Sequence, residues 1–160
     1  MVAGMFTGRL VGIYTTAEAG KPLTAATEVR AIEGAGLEGD RYATETGTYS
    51  DRPGPHRQVT FVEREVVAAV NSEAGVELGE DETRRNLVTE GVPLLHLIGH
   101  TFRVGEVVFR GIKSCPPCAY LEEVTRPGVR AALVNRGGLR AEIVSGGTLR
   151  IGDEIAAVPG

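Results

Sequence analysis

Thr101-Phe-Arg-Val-Gly-Glu-Val-Val-Phe-Arg110 decides the fold class. Phe102 and Val104, then Val107 and Phe109, recur at alternate positions on either side of Gly105-Glu106. That is the period of a strand with one buried face, turned back on itself through a two-residue loop. Downstream, Leu139, Ala141 and Ile143, then Leu149 and Ile151, repeat the pattern around Gly146-Gly147 and predict a second hairpin. Upstream, Gly8-Arg-Leu-Val-Gly-Ile-Tyr14 reads as a strand, Val29 to Ile32 as another ending at Glu33-Gly-Ala-Gly36, and Arg57-Gln-Val-Thr-Phe61 as a third.

Helical signals are fewer. Thr60-Phe-Val-Glu63 has the spacing of a capping box, Val62, Val66, Val67 and Val70 supply an apolar face, and Gly75 a stop. A second helix is predicted from Pro127 through Val129, Ala132 and Leu133 to Gly137-Gly138. Strands and helices do not alternate, which argues against an all-parallel α/β fold. The expected class is mainly β with short helices (α+β), a barrel-like β domain filling residues 1–160 as a single unit.

Composition narrows the function classes. Gly at 22 of 160 residues is about twice the usual ~7% and suits a turn-rich β architecture. A net charge of -4 with no Lys/Arg stripe argues against nucleic acid as a partner. No segment approaches the ~20 apolar residues of a membrane span. Met1 to Arg9 lacks the charged and apolar regions of a signal peptide, and two cysteines make no disulfide framework, so the expected compartment is the reducing cytoplasm.

Both cysteines lie in Lys113-Ser-Cys-Pro-Pro-Cys-Ala-Tyr-Leu121. Cys115-Pro-Pro-Cys118 has the thioredoxin spacing but lies in a β-rich region, without the βαβ context that motif requires. His96-x3-His100 ahead of the cysteines has zinc-ligand spacing, yet its two histidines fall in an apolar strand-to-turn segment. Both thiols are also compatible with inert, buried packing. Against that, Pro116 and Pro117 block regular hydrogen bonding and make a rigid loop that exposes Cys118 at the start of a short helix, where a nucleophilic thiolate is favoured. Fifteen arginines against two lysines supply forks that bind anions bidentately. Gly36-Leu-Glu-Gly-Asp-Arg-Tyr42 and Asp81-Glu-Thr-Arg-Arg-Asn-Leu87 are the polar segments that could complete such a site; each also reads as a solvated turn with ion pairs.

In this order, Gly36-x-x-Gly-Asp-Arg41, Arg57-Gln-Val-Thr60, Arg84-Arg-Asn-Leu-Val-Thr89, Leu97-Ile-Gly-His-Thr-Phe-Arg-Val-Gly105, Pro117-Cys-Ala-Tyr-Leu121 and Gly152-Asp-Glu154 resemble the MOSC domain family. That module is found at the C-terminus of molybdenum cofactor sulfurases and as small free-standing proteins. The resemblance spans residues 8 to 156 and implies a barrel-like β fold. It also implies a cysteine that carries sulfur as a persulfide, placed at Cys118, where it is also a candidate molybdenum ligand. Cys115 is extra to the pattern and is a candidate resolving thiol. Molybdenum cofactor (molybdopterin) is the implied ligand, with Asp40, Arg41, Arg57, Arg84, Arg85 and Asn86 as its candidate binders.

What this resemblance implies for activity has three forms. The first is a sulfur carrier, loaded by a cysteine desulfurase or other sulfur donor and passing sulfur to a molybdoenzyme or molybdopterin acceptor. The second is a non-catalytic molybdopterin-binding and delivery module. The third is a molybdenum-dependent reductase of N-hydroxylated compounds. A desulfurase domain like that of the full sulfurases is not expected within these 160 residues, so sulfur is expected to come from a separate donor. Pyridoxal phosphate is not expected, since Lys21 and Lys113 are the only lysines to form an aldimine.

Overall fold

The computed structural model describes residues 6–159; of the N-terminal stretch Met1 to Arg9, residues 1–5 lie outside it. The strands are β1 (Gly8–Thr15), β2 (Thr24–Ala25), β3 (Glu28–Ile32), β4 (Gly36–Leu37), β5 (Val59–Glu63), β6 (Leu87–Glu90), β7 (Thr101–Val104), β8 (Val107–Ser114), β9 (Leu139–Ser145), β10 (Gly147–Arg150) and β11 (Glu154–Ala157). Seven of them close a ring in the order β11-β7-β8-β9-β5-β6-β1, sealed by the β1–β11 pairing, while β2 lies on the outer edge of β1. Closure removes the unpaired edges that an open sheet of this size would leave. The class is thus mainly β with short helices, as expected.

The hairpin at the centre of the sequence reading forms as predicted. Val104 faces Val107 and Phe102 faces Phe109 across the Gly105-Glu106 turn. Phe102 and Phe109 stack with ring centroids 5.6 Å apart, and Phe61 meets them edge-on at 5.4 and 5.1 Å. These rings, with Leu10, Leu87, Leu139 and Ile155, fill the barrel and are fully buried. Edge-to-face and offset rings are worth about 1 kcal/mol per pair beyond the area they bury.

Four expectations about elements change. Thr60-Phe-Val-Glu63 is not a capping box: those residues are the end of β5, and α1 (Arg64–Ala74) begins after them. Phe61 belongs to the barrel core, so its backbone is committed to pairing with β9 and β6. The Thr60 hydroxyl bonds the Asn86 side chain instead of the first helical turn. The strand also starts at Val59, because Pro55–Arg57 form a single 3₁₀ turn. Gly75 does end α1, in the left-handed conformation.

The strands around Gly146-Gly147 do not form a hairpin. β9 pairs with β8 and β5, whereas β10 leaves the barrel sheet and pairs with β3 in a small sheet ordered β10-β3-β4. Leu149 is buried, but Ile151 turns out to solvent in the following loop. Alternation predicted the strands, and a tertiary partner took the edge.

The second predicted helix is also cut short. The chain makes α2 (Ala119–Val124) and then one turn, α3 (Val129–Ala132), with the Glu122 carboxylate accepting from the amides of Gly128 and Arg130. Val70, Leu78, Leu121, Val129 and Leu133 join α1, α2 and α3 into a satellite core beside the barrel, against which Cys118 packs.

Candidate functional site

One end of β5 opens into a cleft of about 170 Å³ between the barrel and the satellite core. Its walls bring together Arg41, Arg57, Arg84, Arg85, Asn86, Cys115 and Cys118 from four separate stretches of sequence, so all of the expected site residues except Asp40 line it. Asp40 lies directly behind, fully buried, and accepts a hydrogen bond from Arg41 Nη1 at 3.0 Å. Arg52 and Arg140 bring the arginines on the wall to six, and among the described residues no carboxylate lines it. A chain with net charge -4 has gathered more than a third of its fifteen arginines around one cavity.

The arginines divide by what their donors do. Arg85 is buried and gives Nε to Gly137 O (2.7 Å), Nη2 to Cys115 O (2.9 Å) and Pro116 O (3.3 Å), and Nη1 to Thr83 O (3.3 Å). It holds the cysteine loop in place. Two glycines let it do so: a Cβ on Gly137 would lie 2.3 Å from Cys115 O, and Gly138 has a φ of 117°. The sequence reading made this Gly-Gly pair a helix stop; it is where backbone, loop and guanidinium meet.

Asn86 is equally committed. Its Oδ1 accepts from Thr60 N and Oγ1, and its Nδ2 donates to Tyr14 O and to Asp40 Oδ1. Asp40 also accepts from the amides of Thr16 and Tyr42. Asp40, Asn86 and Arg85 therefore form the frame of the site.

Arg84 differs. It is 9% exposed, held in a left-handed conformation (φ 61°) and bonded through Nη1 to Lys21 O, while its Nη2 is buried without a partner among the described residues. Burial, then the charge of Arg41, lowers its pKa. Arg140 Nε is likewise buried and unpartnered. An orphaned charged donor costs free energy unless an acceptor reaches it.

Tyrosines support the arginines: Arg41 lies 4.7 Å from the Tyr42 ring centre, Arg57 5.1 Å from Tyr49, and Arg84 6.0 Å from Tyr120. These cation–π contacts hold guanidinium groups without using their hydrogen-bond donors. Tyr49 has a second role. Its hydroxyl donates to Cys118 Sγ at 3.2 Å, and that bond, with burial, pushes the phenol pKa up to about 12.

Cys118 is the N-cap of α2 and half-buried; Cys115 is 3% exposed, and both thiols are free. His56 completes the wall, its pKa lowered first by burial and then by Lys113, Arg57 and Arg140. Arg57 gives Nε to Arg52 O, and burial followed by Arg140 lowers its pKa.

Tyr49, His56, Arg52 and Arg140 were not read from the sequence. Tyr42 and Tyr120 carried a signal, being within the quoted motifs; Tyr49 and Arg140 are brought in by tertiary contact alone. The zinc spacing does not assemble. His96 and His100 are exposed beyond the cleft, and no group of three or more His, Cys, Asp or Glu among the described residues is placed around a common point.

Among solved structures, the YUAD protein of Bacillus subtilis superposes with a TM-score of 0.78 at 18% identity, over 94% of this chain and 95% of that one. YiiM of Geobacillus stearothermophilus (TM-score 0.72, 13% identity, 95% and 75% covered) and YiiM of Escherichia coli (0.64, 21%, 95% and 70%) share the fold. No curated protein matches the sequence. The MOSC domain model matches residues 48–156, which carry β5 to β11 and most of the cleft wall. By that match and by the shared barrel, the chain belongs to the MOSC domain family.

Proposed function

We propose that this protein is a sulfur carrier that acts on or with molybdenum cofactor, through a persulfide on Cys118. The observation that carries the reading is the Tyr49 hydroxyl donating to Cys118 Sγ at the wall of a carboxylate-free, arginine-lined cleft. A donor on sulfur stabilises the thiolate, which is the nucleophile in thiol–disulfide exchange. In the loading step Cys118 Sγ attacks the outer sulfur of a donor persulfide. The S–S bond of the donor breaks, its cysteine leaves as thiolate, and a Cys118 persulfide forms. Cys115 lines the same cleft and serves as resolving thiol. Its attack on Cys118 Sγ forms a disulfide and releases the outer sulfur as sulfide, the disulfide taking up the oxidation.

The cleft fits a phosphate-bearing pterin. It offers a buried donor without an acceptor, cations resting on aromatic rings, and flat tyrosine walls. Arg41, Arg57 and Arg84 would hold its anionic parts, with Asp40, Asn86 and Arg85 fixing the wall behind them. When bound, molybdenum cofactor supplies the metal site that takes up the sulfur. The orphaned Arg84 donor supports a second reading, a molybdopterin-delivery module that needs the cleft but not the thiol.

Intact mass after incubation with a cysteine desulfurase and cysteine separates the two. A reducible sulfur adduct is expected on wild type and absent from Cys118→Ser, and it should persist longer on Cys115→Ser. An accessible Cys118 that takes no adduct would leave the delivery reading, with pterin affinity retained in Cys118→Ser.

A further inference from the structure

The two orphaned donors of the cleft lie on opposite flanks of β5. Arg140, on β9, stands directly across from Thr60 of β5. Asn86 bonds Thr60 from the other side, at the entry to β6, and Arg84 is two residues before it. Strands in this stretch run in the order β9-β5-β6. Two strand spacings of about 4.8 Å put the backbones that carry these guanidinium groups roughly 10 Å apart.

Each orphan has its own cationic company. Arg41 is the charge nearest Arg84 in effect, and Tyr120 lies beside it. Arg140 acts instead on His56 and Arg57, and Lys113, its register partner on β8, acts on His56 as well. Backbones that far apart, each with its own cationic neighbours, favour two oxyanions over one as the acceptors for Arg84 Nη2 and Arg140 Nε. Arg84 is more than nine-tenths buried, so water offers it little compensation.

We infer that the cleft contains two separate anion seats, one at Arg84 and Arg41 and one at Arg140 and Arg57, and that its ligand carries two oxyanionic groups. The inference rests on the proposed function only in using the same cleft. It requires neither thiol, so Cys118→Ser should leave it intact, and the failure of one reading is distinguishable from the failure of the other.

Calorimetric titration at low ionic strength tests it, with inorganic phosphate and a series of α,ω-alkanediol bisphosphates of increasing chain length as probes. Tying two anions together makes the second binding event intramolecular, so a bisphosphate of matching length should bind more than about tenfold tighter than phosphate, with an optimum in the series. Arg140→Gln and Arg84→Gln should each return that bisphosphate to about the affinity of phosphate. Thermal unfolding of both variants, with Arg140→Lys as a control retaining charge, shows whether the barrel is intact. Bisphosphates that bind no better than phosphate at any length would overturn the inference from wild type alone. So would a folded Arg140→Gln that keeps full bisphosphate affinity. A single molecule of phosphate bound per chain, lost only in Arg84→Gln, would show one seat.

Discussion

Arg84 and Arg85 are neighbours in the chain with opposite duties, and substitution should separate them. Arg85 gives its donors to four carbonyl groups, so Arg85→Ala leaves buried acceptors unpaired and frees the cysteine loop. Loss of about 3 kcal/mol of stability is expected, read by urea denaturation. The sequence alone made Arg85 an anion binder worth ~1–3 kcal/mol to a ligand; its geometry makes it a brace. Arg84→Gln should cost less stability in the free protein than Arg85→Ala, since it gives up one bond, to Lys21 O, and its Nη2 has no acceptor among the described residues, but should abolish most of the rise in Tm that sulfate produces. Tyr49→Phe tests the thiol. With the one side-chain donor to Cys118 Sγ among the described residues removed, iodoacetamide should alkylate Cys118 about twofold more slowly at neutral pH.

At the scale of elements, the short 3₁₀ turn Pro55–Arg57 sets a pH response. It packs on β9 and β8, whose Arg140 and Lys113 face His56 together with Arg57 of its own turn. Because its folded pKa is depressed below the ordinary 6.5, the unfolded chain binds the proton more readily. The contribution of His56 to stability is therefore complete above pH 6.5 and is lost as pH falls through the folded value. His56→Gln should flatten the decline of Tm below pH 6.5 in anion-free buffer. Sulfate, which keeps its charge over this range, should stabilise wild type more at pH 6 than at pH 8, because an anion in the cleft offsets the three cations around His56⁺. Local sequence was a poor guide to such elements. Thr60 to Glu63 satisfied a helix-start pattern while β5 needed the same residues for the barrel. Leu149 alternated correctly, yet its strand pairs with β3.

For the whole molecule, the barrel explains why the site is where it is. Ring closure brings β9, β5 and β6 side by side, though they lie far apart in the sequence. The cleft is their shared end, closed on the other side by Cys118, Tyr120 and Leu121 at the start of α2, with Leu121 anchored in the satellite core. Among the described residues no helix is long and apolar enough to cross a membrane. The three packed phenylalanines lie beneath this arrangement, since Phe61 lies next to Thr60 in β5 and pairs with Leu139 and Leu87.

Period-two alternation around Gly105-Glu106, the wealth of glycine and the ordered set of short motifs by themselves determined a β-rich MOSC barrel. They also marked Cys115, Cys118, Asp40, Arg41, Arg57, Arg84, Arg85 and Asn86 as candidate site residues. Alternation is a local property, set by which side chains must leave water, and it survives in any tertiary arrangement. Strand partners, the brace formed by Arg85, the donor on Cys118 and the second seat at Arg140 were decided only by the fold. Each depends on which groups find a hydrogen-bond partner once buried. That is settled between residues remote in sequence, where no local spacing records it.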